Sequence, residues 1–343
     1  MFKKFTRISL LISLLSSTAI AQQSAWQSLN QAYKTGMELY EKGKYASAYN
    51  QLGKVEEIRT NTTIQDDEND QISLLKENAR FYQAVCALEL GNHDAEGLFL
   101  KFIKDHPTSS NTKAAYFQVG RSYFAQKNYK KAIEWFKKLD GGNLSGAENT
   151  EYRFKLAYSL FMTEDYKSAK PLFERLKDEN GQYQEASVYY YAYLAYLDGE
   201  YKTALREFER LKGSKTYENS YPYYISALYF LDKRYDDVLA YILPILNTTK
   251  QENETEIFRI VGATYFAKND LVKSKEYYDK FQAQDQGKTQ NNQDDYQIGY
   301  IAYKNGNYEK AVKELEKLTE PDAYFQSGMI ILGDSFVKLG NKE

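Results

Sequence analysis

Residues 120–136 read GRSYFAQKNYKKAIEWF, and three residue types in this stretch decide the fold. Tyr129, Ala132 and Phe136 stand at i, i+3 and i+7, which places them on one face of a helix. Gly120 lies nine residues before the tyrosine, and Lys127-Asn128 between them reads as one helix stopping and the next starting. A small residue on the first helix and an alanine on the second let the two backbones approach closely, because no large side chain holds the axes apart. The stretch therefore predicts a helical hairpin.

The same frame recurs along the chain. Tyr45 with Ala48, Tyr166 with Ala169, Tyr201 with Ala204, Tyr235 with Val238 and Tyr308 with Ala311 repeat the anchor pair. Leu271 with Ser274, and His93 with Glu96 in the most degenerate copy, fill the gaps. From position 93 onward the anchors are 34 to 37 residues apart, whereas the interval from 45 to 93 is 48. The small-residue offset holds at Gly36, Ala84, Ala157, Ala192, Ser226, Gly262 and Gly299, and turn signals such as Lys42-Gly43-Lys44, Asp198-Gly199-Glu200 and Asn305-Gly306-Asn307 precede the anchors. A fixed period of this size means a repeat array rather than a compact globule.

These residues resemble the tetratricopeptide repeat, a two-helix unit with a small residue in its first helix and Tyr-x-x-Ala opening its second. Gly120 to Phe136 and Gly299 to Leu315 match it most closely, and the resemblance runs from about Ala25 to the end of the chain. It implies an all-α, right-handed superhelical solenoid of stacked helix-turn-helix repeats. Repeat 1 is assigned to 22–59, an acidic polar loop to 60–70 (TNTTIQDDEND), the degenerate repeat 2 to 71–107, and repeats 3 to 8 with an incomplete ninth to 108–343. Further polar loops are expected from Asn247 to Glu256 and from Gln282 to Asp295.

The N-terminus carries a different signal. Lys3, Lys4 and Arg7 precede an apolar run from Ile8 to Leu15, and Ala19-Ile20-Ala21 has the small-x-small pattern of a signal-peptidase site. Residues 1–21 are therefore expected to be a cleaved signal peptide, leaving Gln22 as the first residue of an exported, periplasmic or envelope-associated protein. The apolar run falls well short of the ~20 residues that span a bilayer. Mean hydropathy is −0.67, no other segment is apolar enough to span, and no transmembrane segment is expected in the mature chain. At the other end, Ala323 to Leu339 reads as a first helix without its second, so the reading frame is expected to continue past Glu343.

Composition and chemistry point away from several functions. The formal charge is −2 and lysines are mixed with glutamates, which gives no electrostatic footprint for nucleic acid. The only cysteine, Cys86, lies in the helical run Phe81 to Leu90 and reads as a buried small side chain. His93 and His106 have no metal-ligand spacing to a partner, so no metal and no cofactor are expected. Gly333-Asp334-Ser335 is similar to the nucleophile block of one esterase group, yet Gly333 fits the small-residue place of a first helix and no histidine follows to act as base. The chain is read as a non-enzyme with no catalytic residues.

What remains is the surface that the stack presents. Helical spacing assigns to an inner wall Phe117, Arg121 and Phe124; Phe154, Tyr158 and Phe161; Tyr189, Tyr193 and Tyr196; Tyr223, Ala227 and Phe230; and Tyr296, Tyr300 and Tyr303. All are expected to point away from the second helices. Tyrosine offers a large apolar area with a polar tip and few rotatable bonds, which suits capture of a protein segment. Partner binding is assigned to Arg121, Phe124, Tyr158, Phe161, Tyr189, Tyr193, Tyr196, Tyr223, Tyr300 and Tyr303, with the middle place of each triplet (Arg121, Tyr158, Tyr193, Tyr300) carrying most of the inference. Three readings follow: an exported scaffold for protein or peptide partners in an envelope assembly, a glycan or peptidoglycan binder, and the repeat region of a chain whose catalytic domain lies elsewhere. Sugar stacking on the wall is weakened by a tryptophan count of two.

Overall fold

The computed structural model describes residues 26–58, 66–139, 144–320 and 323–340. The expected signal peptide, 1–21, lies outside them. The chain divides into two compact units, Met1–Leu176 and Lys177–Glu343. In the first unit, α1 (26–41) pairs with α2 (Tyr45–Glu57), α3 (Asp66–Glu89) with α4 (Ala95–Asp105), α5 (Thr112–Ala125) with α6 (Tyr129–Phe136), and α7 (Gly146–Met162) with α8 (Tyr166–Leu176). In the second, α9 (Gln184–Leu197) pairs with α10 (Tyr201–Glu209), α11 (Tyr221–Leu231) with α12 (Tyr235–Leu246), α13 (Glu254–Ala267) with α14 (Leu271–Asp285) and α15 (Asn292–Lys304) with α16 (Tyr308–Leu315), followed by α17 (Phe325–Lys338). No strand occurs among the described residues, so the chain is all-α, as its periodicity predicts.

The alanine places of the anchor pairs are buried, but the small residues do a different job from the expected one. Ala48, Ala132, Ala169, Ala204, Val238, Ser274 and Ala311 are all fully buried. A Cβ added at Gly36 would strike Leu52, at Gly120 Phe136, at Gly262 Tyr278 and at Gly299 Leu315. In every case the obstacle is the large side chain sixteen residues on, so the first helix is small there to seat a Leu, Phe or Tyr of the second helix. Seating a side chain such as Phe136, which is fully buried, contributes about 1.5–3 kcal/mol to stability.

The turns share one backbone device. The residue two places before each anchor has positive φ: Gly43, Gly91, Gly199 and Gly306 at 68° to 75°, and Lys127, Glu164, Lys233 and Asn269 at 57° to 63°. This left-handed residue ends the first helix, and glycine adopts it without the strain that a Cβ introduces. The following residue often caps the second helix: Asn128, Asp270 and Asn307 accept from the backbone N–H of Lys131, Lys273 and Lys310.

Three expected boundaries move. The acidic stretch 60–70 was assigned to a loop, yet α3 begins at Asp66, while 59–65 lies outside the described residues. Asp and Glu are favoured in a first helical turn by the partial positive charge there. For the same reason α13 takes up Glu254 and Glu256 from the loop expected at Asn247 to Glu256, and α15 takes up Asp294 and Asp295. The most degenerate copy, after His93, forms its second helix as α4 and buries Phe99 and Phe102.

The packing account makes a paired prediction. Gly120→Ala drives a methyl into the Phe136 ring and is expected to cost about 1–3 kcal/mol by overpacking. Gly333→Ala meets nothing within 4 Å and is expected to stabilise α17 by about 0.5–1 kcal/mol through helix propensity. Urea melts of both variants check this; equal shifts of one sign would be inconsistent with the seating role of Gly120.

Candidate partner-binding site

The wall triplets divide by position in a way that the periodicity alone does not reveal. Their third aromatic lies against the anchor tyrosine of its own second helix: Phe124 with Tyr129 at 5.8 Å between ring centroids, Phe161 with Tyr166 at 5.4 Å, Tyr196 with Tyr201 at 6.0 Å and Tyr303 with Tyr308 at 5.8 Å. Tyr189, a first-place residue, meets Phe208 of α10 at 6.0 Å. These side chains were expected to point away from the second helices, and they do not. Near the turn the two helices of a hairpin converge, so a ring one turn before the stop reaches the ring that opens the next helix.

The middle places reach the first helices of neighbouring hairpins, and Tyr158 also lies 5.8 Å from Tyr129, the anchor that opens α6. Tyr158 of α7 lies 5.6 Å from Phe124 of α5, Tyr193 of α9 lies 5.7 Å from Tyr224 of α11, and Tyr300 of α15 lies 5.5 Å from Phe266 of α13. Arg121 reaches from α5 to Glu151 of α7 at 3.0 Å and is held by Gln118 at 2.8 Å. In the first unit this builds a mixed patch. Lys155 pairs with Glu151 at 3.6 Å and sits 4.3 Å over the Phe124 ring, and burial pulls its amine below the usual lysine value, with Arg121 reinforcing and Glu151 opposing. The Arg121 guanidinium is therefore engaged within the patch.

The second unit holds the richer group, with Tyr224 at its centre. Tyr224 stacks on Phe208 at 4.8 Å and 3°, and the rings of Tyr193, Tyr196, Tyr223 and Tyr189 lie 5.7, 5.5, 5.0 and 6.3 Å from it. Tyr189 also stacks on Tyr217 at 4.6 Å. Burial is the main cause of raised phenol pKa values here: Tyr223 is pushed up to about 12, with Tyr196 and Glu256 adding to the shift, and Tyr224 is raised further. The phenols of Tyr189, Tyr196, Tyr223 and Tyr224 therefore stay neutral at physiological pH and offer both donors and acceptors on a largely apolar face. A second group in this unit joins Tyr300 to Tyr296 at 6.1 Å and Tyr296 to Tyr324 at 5.2 Å, while Tyr303 donates to Asp334. Phe230 packs against the cores beneath both groups.

Sequence reasoning missed Tyr224, which stands one place after the wall position Tyr223. The signal was present in the adjacent pair Tyr223-Tyr224, but the same register holds Gln118, Lys155 and Gln297 in three hairpins and tyrosine, Tyr82 and Tyr190, in two others. All ten assigned binding residues are half-buried rather than fully exposed.

Features with apparent chemistry resolve into structural roles. Ser335 is fully buried and donates to the Ile331 carbonyl at 2.7 Å, and its neighbour Asp334 accepts from Tyr303. His106 sits between Glu77 at 3.4 Å and Arg80 at 3.0 Å, tying the end of α4 to α3. Cys86 is fully buried, and desolvation pushes its thiol up to about 11, which removes nucleophilic character. Among the described residues no group of three His, Cys, Asp or Glu could hold a metal ion, and no helix is long and apolar enough to cross a membrane.

Residues 93–147 and 296–325 each match a tetratricopeptide-repeat family model; the first segment contains the hairpin α5/α6 and the second most of α15 with α16. No curated protein matches the chain. Similar solved structures include a tetratricopeptide repeat protein from Parabacteroides merdae, at 14% identity over 75% of this chain and 93% of that one, TM-score 0.41. Pseudomonas aeruginosa pilF is 15% identical over 64% and 96%, TM-score 0.46, and the apo form of RapI is 14% identical over 92% and 99%, TM-score 0.49.

Proposed function

We propose that this chain of tetratricopeptide repeats is an exported, non-enzymatic scaffold that binds protein or peptide segments within an envelope assembly. Repeats of this family are protein-interaction modules, and that general role rests on the family matches. The observation that carries the binding site is the Tyr193–Tyr224 group: a cluster of neutral, half-buried phenols bridging two first helices. Such a face offers apolar contact area with hydrogen-bonding tips at low entropic cost, which favours an ordered stretch of polypeptide over a small polar ligand. Export is supported by the Lys3 to Ala21 pattern.

The test is retention of envelope proteins on the immobilised chain, compared with a variant carrying Tyr158→Phe, Tyr193→Phe and Tyr300→Phe and with one carrying alanine at the three places. Alanine is expected to reduce retention several-fold, and phenylalanine less, since packing survives while the polar tips are lost. A folded alanine variant with undiminished retention would move the site away from the first helices. Retention of glycan in place of protein would favour the carbohydrate reading.

A further inference from the structure

We propose that the start of α15 is a proton-operated catch: in mild acid the buried Asp294 carboxyl takes up a proton, and the junction of α13, α14 and α15 that carries Arg259 and Tyr296 tightens. Arg259 holds in α13 the place that the wall residues Tyr223 and Tyr296 hold in their helices, twelve residues before the anchor. Tyr296 follows Asp294 by two residues. The catch is independent of what the wall binds.

Carboxylates outnumber cations at this junction. Asp294, Asp295 and Glu314 are 2%, 5% and 4% exposed, and the half-buried Glu256 shares Arg259 with Asp294. Among these groups the counter-charges are Arg259 and Lys317. Arg259 pairs directly with Glu256 and lies 3.6 Å from Asp294, while Lys317 lies 2.5 Å from Glu314 and 3.9 Å from Asp295. Each cation therefore has a nearer carboxylate, and the two adjacent aspartates keep the longer contacts.

Asp294 is placed to exist with or without its charge. Its Oδ2 accepts the Asn291 N–H at 3.1 Å in the capping box of α15, and an oxygen of either form can do so. The Tyr278 phenol, within hydrogen-bonding reach, gives its own proton to Gln297 at 2.6 Å, so its oxygen is left to accept from a protonated Asp294. The groups that face the carboxyl are Arg259 from α13, with Glu256 beside it, Tyr278 from α14 and Asp295 of α15 itself. Farther out, Tyr324 ahead of α17 acts on Tyr278, Glu314 and Lys317 meet Asp295, and Asp285 of α14 accepts from Thr289. Burial pushes the Asp294 carboxyl up to about 6, with Asp295 adding to the shift and the Asn291 N–H and Arg259 opposing it. A carboxyl raised in this way takes its proton in the folded chain before the unfolded one, so the folded form gains stability as pH falls through about 6 toward the ordinary aspartate value of 3.8.

The test is amide hydrogen exchange of the full chain, read by mass spectrometry over peptides of α15 and corrected for intrinsic rates, at about pH 7.5 and about pH 5. Protection in α15 is expected to rise about ten-fold between the two, the factor that follows from a carboxyl at about 6 in the folded chain and 3.8 in the unfolded one. Asp294→Asn mimics the neutral acid, with an amide oxygen for the Asn291 N–H and an amide donor for Tyr278. Its protection at neutral pH is expected to be close to that of the acidified parent, and to change little on acidification. Loss of protection in Asp294→Asn at both pH values would show the charge to be a stabilising partner of Arg259 and overturn the proposal. So would parent protection that does not rise in acid, or a rise that Asp294→Asn leaves in place and Asp295→Asn abolishes.

Discussion

Tyr224→Ala is expected to destabilise the second unit by about 3 kcal/mol, near the lower end of the range for truncating a large core aromatic because the ring is only half-buried. The loss has three parts. The stack on Phe208 disappears, the edge contacts with Tyr193, Tyr196 and Tyr223 lose their common partner, and the space left between α9 and α11 cannot collapse without moving both helices. Tyr224→Phe retains the stack and is expected to fall within about 1 kcal/mol of the parent, since only the phenol's hydrogen bonding is removed. Urea unfolding followed by tyrosine fluorescence distinguishes the two. An alanine variant as stable as the phenylalanine variant would show that the cluster does not hold the two hairpins together.

Glu207→Ala is the second large effect. The Glu207 side chain is 2% exposed and takes Arg210 at 2.6 Å, Arg206 at 2.9 Å and Lys177 at 3.6 Å. Removing it leaves Lys177, itself 11% exposed, with Asp178 alone at 2.9 Å. Breaking a buried pair from one side costs about 3–5 kcal/mol, and the lower figure is expected here because Asp178 also retains Arg210. Burial acts to raise the Glu207 pKa, but hydrogen bonds from Arg210 and Arg206 outweigh it and hold the carboxyl below the ordinary glutamate value of 4.5. A depressed carboxylate stabilises the fold above its unfolded pKa and loses that contribution as pH falls through the folded one. The gap between parent and Glu207→Ala should therefore be full at pH 7 and close as the solution is acidified below 4.5. A gap that persists unchanged in acid would contradict the ion-pair account.

The hairpins were legible because their signal is redundant. Tyr129, Ala132, Phe136 and Gly120 predict one hairpin, and seven further copies of the frame leave little freedom in the assignment. The reason for the small residue was not legible. A nine-residue offset does not say whether Gly120 faces Ala132 or Phe136, since both lie on the same face of α6. Loop ends were misplaced where acidic residues stood, because Asp66 or Asp294 suits a solvated loop and a first helical turn equally well by composition. The packing within the wall was not legible. Spacing put Tyr158, Tyr193 and Tyr300 on one inner wall with Phe124, Phe161, Tyr196 and Tyr303, but the packing of the last four on their anchor tyrosines depends on how closely the helices approach at the turn. Tyr224 escaped because its register mixes glutamine and lysine with tyrosine from hairpin to hairpin, and only contact with Phe208 gives it a central place.

The claim that the middle tyrosines face a bound polypeptide is tested most directly by site-specific photocrosslinking in cells of the source organism. A photoreactive phenylalanine analogue would be placed in turn at Tyr158, Tyr193 and Tyr300, and as a control at Val272, which is 81% exposed and outside the wall. The account predicts a protein adduct of defined mass in the envelope fraction from wall positions and none from Val272. Adducts equally abundant from Val272, or no protein adduct from any wall position in a folded chain, would contradict it.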